Sequence, residues 1–271
     1  MGFYTPDQLI QDTKRHSITI LPVDALYSAW DHTLENSGIR LGMRLIKGLS
    51  QSSAERIVAY RTQHPNSSAA HFMSHIQLPQ DQMDALANAD ALRSITGHRY
   101  QTHWQLSGHQ PALALSGESH TCEPSIALNT PTEWATVHAD YRSMGLTLNI
   151  HPIALLKQRQ PHLNRCATAQ SLSTIPAQKL VRIAGLITGR QRPGTAKGTT
   201  FLTLEDETGN VNVIVWPKVA ERFLTIMLQA KAMMILGTIE RSHSVVHVVA
   251  GKLMDLSGEV ATLSLASRDF H

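Results

Sequence analysis

The sequence predicts an α+β chain of more than one domain: a helical front part built round a helix-hairpin-helix, then a five-stranded OB-fold β-barrel. Three observations predict this. Residues 40–63 carry apolar side chains at helical spacing on both sides of Lys47-Gly48-Leu49-Ser50. From Lys179 onward the apolar period shortens to two, the signature of strands. The later elements run three strands, a helix and two strands over about 80 residues, which is the order of an OB barrel. At 271 residues the chain suits about two domains.

In chain order, residues 5–16 read as a short helix, with Thr5 as N-cap and Pro6 at the first helical position. Residues 17–27 are extended, with β-branched Ile18, Thr19 and Ile20 ahead of Pro22. Neither piece has the apolar surface to stand alone, so both are expected to belong to a domain whose remainder lies before Met1. Leu41, Leu45 and Ile46 share one helix face, and Ala54, Ile57 and Val58 share the next. Between them Gly48 is free to take positive φ and Ser50 to cap the second helix. Pro65 and Asn66-Ser67-Ser68 close the unit. A further helix over 79–92 follows from the spacing of Met83, Leu86, Ala87 and Ala91, with Asp81 early. Residues 107–131, rich in Ser, Gly, Pro and Thr, read as a linker or exposed loop. Helix signal returns from Glu133 to Tyr141 and again after Pro152. Strands follow at 179–189, 199–209 and 210–217, then an amphipathic helix over 218–228, then strands at 232–241 and 244–257.

Composition narrows the function classes. With 42% hydrophobic and 17% charged residues the chain buries a core and is not disordered as a whole. No run approaches the roughly 18–20 apolar residues of a membrane span. The first residues lack an apolar signal core, so a cytoplasmic protein is expected. Two cysteines, Cys122 and Cys166, exclude a disulfide scaffold and a four-cysteine zinc site. The net charge of +3 is modest but uneven. Residues 40–61 hold five cations (Arg40, Arg44, Lys47, Arg56, Arg61) against Glu55 alone, and residues 188–200 hold Arg190, Arg192 and Lys197 with no acid. Such local patches are the electrostatic footprint of a polyanion.

Five groups of residues are candidates for chemistry. A tight turn at Gly48 with a helix starting after Ser50 aims backbone N–H groups outward, where they and the helix dipole form an anion site. Arg44, Lys47 and Arg56 add charge round it; the alternative is an ordinary hairpin with solvated arginines. Ser50 stands where a second glycine is often found in this turn. In the barrel, the loop after the first strand places Arg190, Arg192 and Lys197 for backbone phosphates, with Phe201 and Trp216 either stacking on bases or packing the barrel end. Gln110, followed by Leu113 and Leu115, is either a short partner-docking motif or a linker patch. The spaced pairs His71/His75, His162/Cys166 and His120/Cys122 lack the third and fourth ligands of a metal site. The acids Glu205, Asp206 and Glu207 sit where a strand enters a turn, and no metal site or catalytic residue is expected from them.

These residues carry a resemblance. MGFYTPDQLIQDTKRH, LPVDALYSAWD, RLGMRLIKGLSQSSAERIV, VRIAGLITGRQRPGTAKGTTFLTLEDETGNVNVIVWPKV and the closing SRDFH resemble the C-terminal part of bacterial error-prone DNA polymerases. These are DnaE-type, C-family enzymes related to the polymerase III alpha subunit. The resemblance implies the end of a fingers domain at 1–40, a helix-hairpin-helix region holding duplex at 41–100 and a linker with a helical segment at 101–178. It further implies an OB domain contacting single-stranded template at 179–257 and a C-terminal tail at 258–271. It implies damage-induced translesion synthesis, an accessory Y-family-like protein and, through it, the sliding clamp. The family's palm precedes the matched region, so Mg²⁺ and its aspartates are expected there and not in this chain. The chain alone is then expected to be inactive, as a truncated or split product or an excised fragment, pairing with a separate N-terminal polymerase half. The alternative is a stand-alone single-strand-binding or adaptor protein; a small metal-dependent hydrolase is a distant third.

Overall fold

The computed structural model describes residues 6–35, 38–65, 71–72, 75–76, 78–108, 127–196, 198–242, 245–260 and 268–270. They fall into two compact units, residues 1–148 and 149–271. The division lies inside the segment 101–178 that the sequence sets apart.

The first unit opens with α1 (Pro6–Arg15). Strand β1 (Thr19–Leu21) pairs in parallel with β3 (Gly38–Arg40), and β2 (Thr33–Glu35) pairs with β3 antiparallel. The expected helix before the hairpin is absent: only a single 3₁₀ turn forms, at Met43–Leu45. The reason is local. The Met43 and Arg44 amides donate to Ala29 O (2.9 Å) and Trp30 O (3.0 Å), and the Gly42 amide to His32 Nδ1 (2.9 Å). Donors spent on a neighbouring loop cannot also build a helical ladder.

The helix after the hairpin, α2 (Gln51–Gln63), forms as the apolar spacing requires, burying Ala54 and Ile57. Helix α3 (Gln80–Asn88) is shorter than the expected 79–92, because Asp90 takes a left-handed φ of 56° and turns the chain. Helices α4 (Arg93–Thr96), α5 (Arg99–Gly108) and α6 (Glu133–Ser143) complete the unit, with Thr132 Oγ1 accepting from Ala135 N to start α6. The core gathers Met43, Ile46, Ile57, Phe72, Leu86, Leu92 and Leu146.

The second unit starts with α7 (Pro152–Arg159), capped by His151 Nδ1, which accepts from Ile153 N at 3.2 Å. Strands β4 (Leu180–Gln191), β5 (Thr200–Glu205), β6 (Asn210–Val215), β7 (Ala232–Ser242) and β8 (Val245–Asp255) follow in the expected order. They pair in the order β5-β6-β8-β7-β4, and β4 closes the barrel on β5. All pairs are antiparallel except β6–β8. A register shift between Ile187 and Gly189 lets one long strand serve both β7 and β5. At Gly237, beside the β7–β8 bulge, a Cβ would stand 2.4 Å from Val249 O, so the strands approach as only glycine permits. Inward residues alternate through Val211, Val213 and Val215, all buried.

The single helix expected over 218–228 is two, α8 (Pro217–Arg222) and α9 (Leu224–Gln229). They part at Phe223, whose φ of −115° and ψ of 28° leave the helical region. The stretch read as a tail contributes β9 (Arg268–Phe270), parallel to the end of β4. Among the described residues no helix is long and apolar enough to cross a membrane.

Candidate nucleic-acid interface

The Gly48 turn has the conformation the sequence requires. Gly48 has φ +87°, Ser50 Oγ caps α2 by accepting from Ser53 N at 3.2 Å, and Ala54 N reaches Ser50 O at 3.1 Å. The turn is not closed by its own backbone alone. Gln82, in the first turn of α3, donates to Gly48 O (2.8 Å) and accepts from Ser50 N (2.7 Å). Among the described residues, the amides of Gly48, Gln51 and Ser52 have no acceptor. They lie at the positive end of a 13-residue helix, the arrangement that receives phosphate.

The cations round the turn are placed differently from the sequence reading. Lys47 does not extend toward a ligand: its Nζ donates to Tyr141 O (3.2 Å) and Arg142 O (3.3 Å), and its amide to Ser143 O (2.8 Å). It caps the C-terminal carbonyls of α6, where a cation also meets the negative end of the dipole. Arg44 pairs with Asp31 at 2.6 Å with both side chains exposed, so it stays at the surface with part of its field cancelled. Arg56 is exposed on α2.

On the barrel, Arg190 is likewise committed. Its Nε donates to Met227 O (2.9 Å) and its Nη2 to Ala230 O, so it braces the end of α9 against β4 and is not an open phosphate contact. Arg192, in the loop after β4, is exposed, and among the described residues it has no ion-pair partner. Lys197 lies outside the described residues. The aromatic pair does not plug the barrel end. Phe201 is 38% and Trp216 50% exposed. Phe201 stands opposite Ile214 across β5–β6, and Trp216 follows two residues after Ile214. Both rings therefore belong to the outer β5–β6 side, next to the loop that carries Arg192. That side and that loop are where OB folds take oligonucleotides.

Comparison with known proteins agrees with both halves of this geometry. The helix-hairpin-helix motif family matches residues 17–102, and the OB-fold nucleic acid binding domain family matches residues 181–256. Across its whole length the chain is 42% identical to an error-prone DNA polymerase of Alkalilimnicola ehrlichii, 41% to one of Teredinibacter turnerae and 44% to one of Bordetella parapertussis. Over its whole length the chain is thus similar to a segment of error-prone DNA polymerases. It spans 27%, 28% and 27% of the length of those three relatives.

The remaining candidates are structural or fall outside the described residues. Gln110, Leu113, Leu115, His120 and Cys122 are in the latter group. The acidic turn packs against the segment that precedes the barrel. Asp206 accepts from Thr208 N (2.7 Å), Gly209 N (3.0 Å) and Ala169 N (2.6 Å), Glu207 pairs with Lys157, and Glu205 is buried 3.7 Å from His151 Nε2. These acids rivet residues 151–170 to the barrel. Among the described residues no three His, Cys, Asp or Glu side chains come together as a metal site.

His71 and His75 stack with ring centroids 3.9 Å apart, and Tyr60 Oη lies within hydrogen-bond distance of His71 Nδ1, at 2.5 Å. Burial, then the neighbouring His75 and His64, hold the His71 imidazole below its usual 6.5. The folded state thus takes that proton less readily than the unfolded chain. The contribution of neutral His71 is present above 6.5 and is lost as pH falls below it. An NMR titration is expected to place the His71 ring transition below pH 6.5, and a transition above that value would contradict the stack.

Proposed function

We propose that this segment holds DNA for an error-prone polymerase, gripping the duplex backbone through the Gly48 turn and single-stranded template through the β5–β6 side of the barrel. Nucleotidyl transfer from dNTP to a primer then falls to carboxylates elsewhere in the polymerase. The observation that carries the reading is the left-handed Gly48 turn, whose outward amides stand at the head of α2 inside a helix-hairpin-helix match. Amides and a helix dipole grip phosphate without reading bases, which suits a polymerase that must accept any sequence. The engagement of Asp206 by three backbone amides and of Glu207 by Lys157 supports placing the chemistry elsewhere. The accessory Y-family-like protein, and through it the clamp, are the further partners this reading expects.

A second reading, a stand-alone single-strand-binding module, is favoured by the open Phe201 and Trp216 rings. Binding isotherms on duplex and single-stranded oligonucleotides separate the two. With about 3–6 phosphates contacted, log K on duplex is expected to fall against log salt with a slope of about −3 to −5. Arg192→Ala is expected to flatten the single-strand slope by about 0.7 and leave the duplex slope alone. Single-strand binding without duplex binding would favour the second reading. Primer extension by the chain itself, with Mg²⁺ and dNTPs, would overturn the placement of the chemistry.

A further inference from the structure

We propose that Gln82 is a positioning residue for the phosphate grip, a side-chain clamp that decides which amides of the Gly48 turn face the ligand; this rests on the reading of the turn as a duplex contact. The clamp comes from 32 to 34 residues away in sequence and uses both ends of one amide group. Oε1 accepts from Ser50 N, while Nε2 donates to Gly48 O and also to Asp81 Oδ2 at 3.2 Å. With an amide N–H and two oxygens on its neighbours, only one orientation of the side chain satisfies all three bonds.

The consequence for binding follows from counting donors. Of the amides near the turn, Leu49 N is spent on Ile46 O (3.3 Å), Ser50 N on Gln82 and Ser53 N on the Ser50 hydroxyl. The Gly48, Gln51 and Ser52 amides are left for phosphate. Ser50 stands where a second glycine is often found, and with its N–H already taken it no longer needs close backbone approach to the ligand. The clamp also holds the N-cap of α2 at a fixed distance from Gly48, so these amides are set before DNA arrives and less ordering is left to the binding step. The base of the clamp is firm: Met83 beside it is buried in the core, and Ala85, one turn on, faces Gly48.

The test uses the full chain with Gln82→Met, which keeps the length and removes both bonds to the turn together with the one to Asp81. Gln80→Met, on the same turn, whose side chain among the described residues bonds only Asp84 (3.2 Å), is the control. Two readouts are taken: amide hydrogen exchange at Ser50, and affinity for a duplex and for a single strand as salt is varied. Gln82→Met is expected to speed Ser50 exchange about tenfold and weaken duplex binding about fivefold to tenfold. Its duplex salt slope should drop by about 0.9, the loss of one phosphate contact, with single-strand affinity and exchange of core amides unchanged. Gln80→Met should match wild type throughout. Unchanged Ser50 exchange would show that the clamp is not there. Faster exchange with duplex affinity and slope intact would reduce Gln82 to a local brace. If wild type itself ignores duplex, both the clamp's role and the reading it rests on fall together.

Discussion

Replacing Asp140 with alanine is expected to destabilise the helical unit by about 3–5 kcal/mol. Asp140 Oδ1 lies 2.5 Å from Arg99 Nη2, and the two side chains are only 5% and 4% exposed. Its second oxygen accepts from Thr147 Oγ1 at 2.8 Å, while Arg99 Nη1 donates to Asn88 O at 3.1 Å. One buried pair thus joins the end of α3, the start of α5 and the last turn of α6. Without Asp140, the guanidinium stays buried with only Asp90 nearby at 4.0 Å. At that distance Asp90 is a poor substitute for the 2.5 Å contact that Asp140 makes, and burial disfavours its charged form, raising its carboxyl above the usual value. Denaturant titration followed by amide exchange would show early loss of α5 and α6, with the barrel strands opening at their usual denaturant concentration. Replacing Arg99 and Asp140 together with Met and Leu should recover much of the loss, since the penalty comes from stranding one charge. A single-variant cost under about 1 kcal/mol would mean that water reaches the pair and that it contributes as a surface bridge does. Duplex affinity should fall along with stability, because Lys47 fastens the hairpin to the carbonyls of Tyr141, Arg142 and Ser143 at the end of α6.

The same contacts explain which parts of the molecule the sequence made readable. The barrel was legible because its inner residues are buried one by one along each strand, and Val211, Val213 and Val215 record that alternation directly. The hairpin was legible because its two decisive features are local: Gly48 is the residue that tolerates positive φ, and Ser50 has the side chain that caps. What stayed hidden depends on partners distant in sequence. Lys47 and Arg190 looked like phosphate ligands, since nothing near them in sequence is acidic. Both instead satisfy carbonyls at helix ends 94 and 37 residues away, and a neutral carbonyl leaves no trace in a charge pattern. The strands β2 and β3 are three residues each and pair with little apolar alternation, so no period marks them. Gln82 carries no signal at all: a glutamine early in a helix is ordinary until the turn it clamps is seen. The family resemblance was readable over the whole chain, yet it says nothing about which arginine is engaged internally and which is open.

Removing the two exposed aromatics tests the barrel side of the interface with the second large effect. Phe201→Ala with Trp216→Ala is expected to weaken single-strand binding by about 1–3 kcal/mol for each base that loses its ring, so about fivefold to more than a hundredfold. The barrel itself should hardly notice. Both rings project from the outer side, and the inner neighbours of Phe201, Thr200 aside, are Leu202 and Leu204, each 1% exposed. Leu202→Ala supplies the contrast, since it empties part of the core and should cost about 2–5 kcal/mol of barrel stability. The pattern across oligonucleotides separates stacking from simple charge. Losing a ring removes a contact with the base, so the salt slope should persist while affinity drops; losing Arg192 removes a phosphate contact, so the slope itself should flatten. An abasic single strand should bind wild type and the double-alanine variant alike. If instead the double variant binds every strand as wild type does, the rings are solvent-exposed side chains without a ligand, and Arg192 alone speaks for the barrel as a nucleic-acid face.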